Sequence, residues 1–201
     1  ALGKIEYTNL NDSGSRQLLR GLLSGAGVSE GRIRGFFSRV DRFNESVSAE
    51  WLTDGFEKAE PLYTKYDPYD MQDEWAEKNG MFPGYNCRIT AMGLFGDLVT
   101  AKENAEIDSG EDVLFMDEEA LKTDPEALGG SSLAEFRALY SAMKAEDTTE
   151  AERHVKVVKK EWEYRGVAFR DNEKIHLITV FFHDKPTEEE SLLFVGHVGV
   201  L

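Results

Sequence analysis

The chain has 201 residues, 41% of them hydrophobic, enough for a single domain to bury a sizeable core without covalent staples. Its 38 acidic residues against 23 basic ones give a net charge of −15, a surface that repels nucleic-acid phosphates and anionic lipid. One cysteine excludes an internal disulfide framework and multi-cysteine zinc motifs, and no apolar run approaches the ~20 residues of a membrane span.

In chain order, a polar β-like start from Lys4 to Leu10 precedes a helix from Ser13 to Leu23. Ser29 and Glu30 then cap a second helix, whose Ile33, Phe36, Phe37, Val40 and Phe43 fall on one apolar stripe and read as core. From Thr53 to Gly84 the chain is irregular, with Tyr66-Asp67-Pro68-Tyr69-Asp70, a short helical piece from Met71 to Lys78, and Phe82-Pro83-Gly84. A helix opening at Cys87 continues to about Asn104. Val113 to Met116 reads as a short extended run, and Asp117 as the N-cap of a further helical turn, with orientation of a histidine as its other reading. Two helices follow, Ser132 to Lys144 and Thr149 to Arg165, each opened by a Ser or Thr with a Glu close behind.

The periodicity then switches to that of strands. Ile175 to Phe182 and Leu192 to Leu201 are near-continuous apolar runs, separated by the hairpin-like loop Pro186-Thr187-Glu188-Glu189-Glu190, and Gly166 to Arg170 is a candidate third strand. Helices first and antiparallel strands last define an α+β protein. A single domain over 1–201 is expected, with a helical N-terminal extension over 1–80 and the cysteine helix, inserted helices and C-terminal sheet over 81–201. The chain starts at Ala1 without a methionine and stops at Leu201 inside an apolar run, so loss of an N-terminal segment and truncation at the C-terminus are expected.

Cys87 carries the chemistry. It follows the turn Gly84-Tyr85-Asn86 and precedes the apolar helical pattern Ile89, Met92, Phe95, Leu98 and Val99, so it stands at a helix N-terminus. Unpaired backbone N–H groups and the positive end of the macrodipole meet there, surroundings that activate a thiol nucleophile. Four histidines are candidate bases. His154 reads as a solvated mid-helix residue, His176 as a core or edge group alternating with Ile178, Val180 and Phe182, and His183 as a loop residue beside Asp184. His197 is different, because it lies inside Phe194-Val195-Gly196-His197-Val198-Gly199-Val200 with no other polar side chain near. Strict alternation puts Leu193, Val195, His197, Gly199 and Leu201 on one face, and Gly199 marks close approach by another element, for which the Cys87 helix is the candidate. The alternative is an imidazole that satisfies a backbone group and does nothing else.

A cysteine opening a helix, followed by Val180-Phe181-Phe182, a loop, and Gly196-His197-Val198-Gly199-Val200, resembles the NlpC-type branch of papain-like cysteine peptidases. The resemblance implies a papain-like fold, with the cysteine helix packed on the C-terminal sheet and extra N-terminal and inserted helices. It implies Cys87 as nucleophile and His197 as base and then acid, with the Cys87 N–H and either Tyr85 or Asn86 meeting the oxyanion. Arg88 is a candidate for a substrate carboxylate or for pairing with an acidic neighbour, and peptides, cell-wall stem peptides foremost, are the implied substrates. The sequence departs from that family in having Arg88-Ile89 after the cysteine, where Ser-Gly is usual. Its insertion between Cys87 and His197 is long, and it holds no third polar residue after His197.

Tyr85-Asn86-Cys87-Arg88-Ile89-Thr90 also resembles a family of bacterial surface lipoproteins classed as a domain of unknown function. That resemblance implies export and a lipid anchor on a cysteine preceding this chain, hence an extracellular, surface-held protein. Two functions therefore stand open: a Cys–His thiol hydrolase, and a surface binding protein on the same fold without turnover. Tyr63, Tyr66, Tyr69, Trp75, Phe82 and Tyr85 suit a cleft or a recognition surface in either. A metal site from Cys87, His183 and His197 is weakly supported for want of ligand-spacing motifs, so no metal is expected. No cofactor is expected either, since Gly25-Ala26-Gly27 and Gly129-Gly130 lack a phosphate-loop pattern. Asp108-Ser109-Gly110-Glu111-Asp112 lacks calcium-loop spacing.

Overall fold

The computed structural model describes residues 5–59, 66–102, 106–107 and 113–201. Lys4, Tyr63, Asn104 and the acidic run 108–112 lie outside the described residues. Helices and small antiparallel sheets make an α+β protein, and the chain divides into two compact units, Ala1–Pro83 and Gly84–Leu201. Phe82 belongs to the first unit. Its carbonyl accepts from Trp75 Nε1 at 2.8 Å and its ring packs on that indole.

In the first unit, β1 (Glu6–Tyr7) pairs antiparallel with β2 (Glu57–Lys58) beside three helices. Helix α1 (Ser13–Gly25) is capped by Asp12, whose carboxylate accepts from Ser15 N. In α2 (Glu30–Ser46) the Phe-rich stripe buries Ile33 and Phe37, while Phe36, Val40 and Phe43 are half-buried. Helix α3 (Pro68–Asn79) starts three residues before the expected Met71. Asp67 caps it and Pro68, with no N–H to satisfy, takes its first position.

In the second unit, α4 (Cys87–Phe95) ends nine residues short of the expected Asn104. A tight turn, Gly96–Leu98, then leads into β3 (Val99–Thr100). The apolar residue that would extend the helical stripe, Val99, is instead buried in a strand. Strand β3 pairs with β5 (Ala168–Phe169), so the expected third strand of the C-terminal sheet belongs to another sheet. Helix α5 (Phe115–Thr123) begins where an extended run is expected.

Helix α6 (Leu133–Tyr140) opens with a reciprocal capping box between Ser132 and Glu135 and stops four residues before the expected Lys144. The physical reason is Arg165, at the end of α7 (Ala151–Tyr164) and 1% exposed. Its guanidinium donates to the carbonyls of Ser141 at 2.9 Å and Ala142 at 2.8 Å, so the released chain is held and turned into β4 (Met143–Lys144).

The main sheet has the order β4-β7-β6, built on the hairpin of β6 (Leu177–Asp184) and β7 (Leu192–Val200). Met143 and Leu193 of this sheet and Val158 of α7 form a buried cluster, with Val157, Trp162 and Phe181 packed against it. Helix α4 packs against β7. The hairpin carries one irregularity. Val180 pairs with His197 and Phe181 with Val195, so Gly196 is an extra residue on β7, a β-bulge. A Cβ on Gly196 would stand 2.4 Å from the Phe182 ring, so only glycine lets that ring pack across the strand onto Phe194.

Candidate functional site: the N-terminus of helix α4

The turn before α4 needs Gly84, whose φ of 85° is the left-handed conformation, to bring Tyr85 and Asn86 to the helix start. Asn86 is the N-cap. Its Oδ1 accepts from Ile89 N at 3.1 Å, and its Nδ2 donates to Asp117 Oδ1 at 2.8 Å. Arg88 then grips the same carboxylate with two bonds, Nε to Oδ1 at 2.9 Å and Nη2 to Oδ2 at 2.6 Å. The other guanidinium nitrogen donates to the Val195 carbonyl of β7 at 2.8 Å. One buried carboxylate, 0% exposed, therefore ties the α4 cap, α5 and the sheet into a single charged network. Burial opposes the charge on Arg88, but the hydrogen-bonded Asp117, with Cys87 and Tyr140 nearby, more than offsets it and raises the pKa above its ordinary value.

Asp117 is thus not the N-cap expected of it. It sits inside the first turn of α5, and its carboxylate faces Arg88 and Asn86. Tyr85 donates to Asp124 Oδ2 at 2.8 Å. The two oxyanion candidates and the substrate-binding candidate are all engaged by acceptors of the chain itself.

Cys87 is half-buried at the first position of α4, with a free thiol. The electrostatic surroundings of Tyr140, at the end of α6, include Cys87, Arg88 and Asp117. The Tyr140 side chain is fully buried, and among the described residues its hydroxyl has no hydrogen-bond partner. Burial first, and the neighbouring Cys87 next, push its pKa up from 10.0. The stripe of Phe136, Leu139 and Tyr140 on α6 marks that ring as core, but nothing in the sequence signals its neighbours.

His197 lies in β7. Without the bulge, alternation would place it with Leu193 and Val195; the extra Gly196 reverses the phase after Val195. Val195 and Val198 are buried, whereas His197 is exposed and stands opposite exposed Val180. Gly199 meets nothing within 4 Å of where a Cβ would be, so it marks no close approach. Among the described residues no hydrogen bond joins Cys87 and His197, and no group of three His, Cys, Asp or Glu side chains suited to a metal ion forms.

Two of the other histidines also depart from expectation. His154 packs its ring 4.6 Å from that of His183, with Nε2 buried and unpartnered; it is not a solvated surface group. His183 remains in strand β6, its Nε2 2.6 Å from Ser191 Oγ. His176 is exposed, and its backbone pairs with Leu201. Of the aromatic candidates, Trp75 and Phe82 are core of the first unit, whereas Tyr69 is exposed.

Fold and site together define an α+β protein whose lone cysteine opens a helix anchored to a sheet by a buried Arg–Asp pair. The chain belongs to the family described as a domain of unknown function (DUF4300), whose model matches residues 6–201. No curated protein and no solved structure matches it. No helix among the described residues is long and apolar enough to cross a membrane.

Proposed function

We propose that this is an exported binding domain held at the bacterial surface through a lipid anchor. In this reading it uses a papain-like juxtaposition of cysteine helix and hairpin without thiol hydrolysis. One observation supports this reading above the hydrolase: the bulge at Gly196 puts His197 on the exposed face of the sheet opposite Val180, and among the described residues no hydrogen bond joins it to Cys87. The engagement of Tyr85, Asn86 and Arg88 by Asp124 and Asp117 points the same way, since a catalytic site keeps such donors for its substrate. The ligand class is a peptide, cell-wall stem peptides first, as the resemblance to surface proteins and NlpC-type peptidases implies. With a net charge of −15, nucleic acid is outside its partners.

Labelling of Cys87 by iodoacetamide as a function of pH tests the reading. Wild type and His197→Ala are expected to give the same profile. Rapid labelling near pH 6 that His197→Ala abolishes would restore the hydrolase. Calorimetric titration with purified stem peptides is expected to give binding heat without any release of free amine on prolonged incubation.

A further inference from the structure

The free edge of β6 is a second, independent surface. His176 N and O both pair with Leu201, so in this antiparallel ladder the even-numbered residues of β6 direct their backbone groups to β7. The N–H and C=O groups of Leu177, Thr179, Phe181 and His183 therefore point away from the sheet, and among the described residues no strand pairs with them. Edge strands are normally blunted by Lys, Pro or inward charge. From Leu177 to Phe182 this one carries none, and its outer face shows Ile178, Val180 and Phe182 at 44, 42 and 50% exposure.

The geometry points to a second copy of this chain as the occupant, added antiparallel along β6 about a two-fold axis at Val180. The parity of the outward groups restricts hydrogen-bonded pairs to odd residues. An axis at Val180 satisfies this by setting Thr179 against Phe181 and Leu177 against His183, for about eight main-chain hydrogen bonds. On the exposed face it sets Val180 against Val180 and Ile178 against Phe182, twice, in the closely spaced class of cross-strand pair. Asp184 falls opposite His176 at both ends, so the charged groups meet a complementary or neutral partner. The outcome is a continuous six-stranded sheet whose apolar strip is doubled and shared. Two chains of charge −15 repel each other, so screening salt should strengthen the association.

Sedimentation equilibrium on the whole chain tests the proposal. A species of twice the 22.6 kDa chain mass is expected at micromolar concentration, favoured by added salt. Val180→Lys, at an exposed side chain, should return it to monomer with unchanged circular dichroism. So should Thr179→Pro, which removes an N–H that the β6–β7 ladder does not use. Register is read by oxidation in a Cys87→Ser background, where Val180→Cys should crosslink two copies and Ile178→Cys should not. A chain that stays monomeric at about 100 μM refutes the proposal, because pairing over such an edge should register there. A dimer that survives Val180→Lys, or that crosslinks through Ile178→Cys but not Val180→Cys, refutes it equally.

Discussion

Removal of Asp117 tests whether the network under Cys87 holds the second unit together. Asp117→Ala deletes two charged hydrogen bonds to Arg88, at 2.9 and 2.6 Å, and one from Asn86 at 2.8 Å. It leaves a guanidinium whose side chain is 14% exposed with only the Val195 carbonyl of its present acceptors. Breaking a buried pair from one side costs about 3–5 kcal/mol, chiefly because the surviving charge is stranded. Arg88→Met should cost as much, since it strands a fully buried carboxylate. The double variant strands neither charge and should cost only about 1–2 kcal/mol, so the cycle should show a coupling of about 3 kcal/mol or more. Urea unfolding followed by the fluorine resonance of 5-fluorotryptophan at position 162, the one tryptophan in residues 84–201, isolates the unit concerned. A cost for Asp117→Ala below about 1 kcal/mol, or single costs that add within about 0.5 kcal/mol, would refute the reasoning.

Three further outcomes follow from individual contacts. Gly196→Val should destabilise by about 1–3 kcal/mol, because its Cβ meets the Phe182 ring at 2.4 Å, whereas Gly199→Val should be neutral or better, since nothing lies within 4 Å; thermal unfolding of the two separates them. Arg165→Met should lose about 2–4 kcal/mol, because it frees the buried carbonyls of Ser141 and Ala142. Amide exchange of β4 should accelerate with it. Tyr140→Phe removes a buried hydroxyl without a partner and should stabilise by about 1 kcal/mol at neutral pH. Because burial raises the Tyr140 pKa, ionisation favours the unfolded chain once pH rises above 10.0, so wild type should lose more stability than the variant in alkaline urea titrations. Equal alkaline slopes would show that Tyr140 ionises as freely in the folded state as in the unfolded one.

The helices were legible where local chemistry decides them. The Ser132–Glu135 pair before α6 is a cap whose side chains satisfy the first free N–H groups, and such a cap needs no knowledge of the rest of the fold, whereas Ser29 before α2 makes no side-chain cap bond. Helix C-termini were not legible to the same degree. Helix α6 stops at Tyr140 because Arg165, 25 positions along, donates to the carbonyls beyond it, and α4 stops at Phe95 because β3 has β5 to pair with. Such ends are decided by long-range partners to which propensity is blind.

The site divides along the same line, and the hairpin shows how much one residue can decide. Cys87 at a helix start follows from the turn and the apolar spacing around it. The face of His197 depends instead on an assumption of unbroken alternation, and a period of two has no tolerance: one inserted residue reverses every side chain after it. Two glycines in that strand carried opposite information. Gly199 borders open space, while Gly196 is where the Phe182 ring crosses the backbone and the ladder takes up its extra residue. A glycine beside an aromatic on the paired strand is a bulge signal already present in the sequence, since Phe182 and Gly196 become neighbours once the hairpin pairs. Had that been the premise, His197 would be assigned to the solvent face from sequence alone. Val195 would then remain on the buried face, and its carbonyl accepts from Arg88.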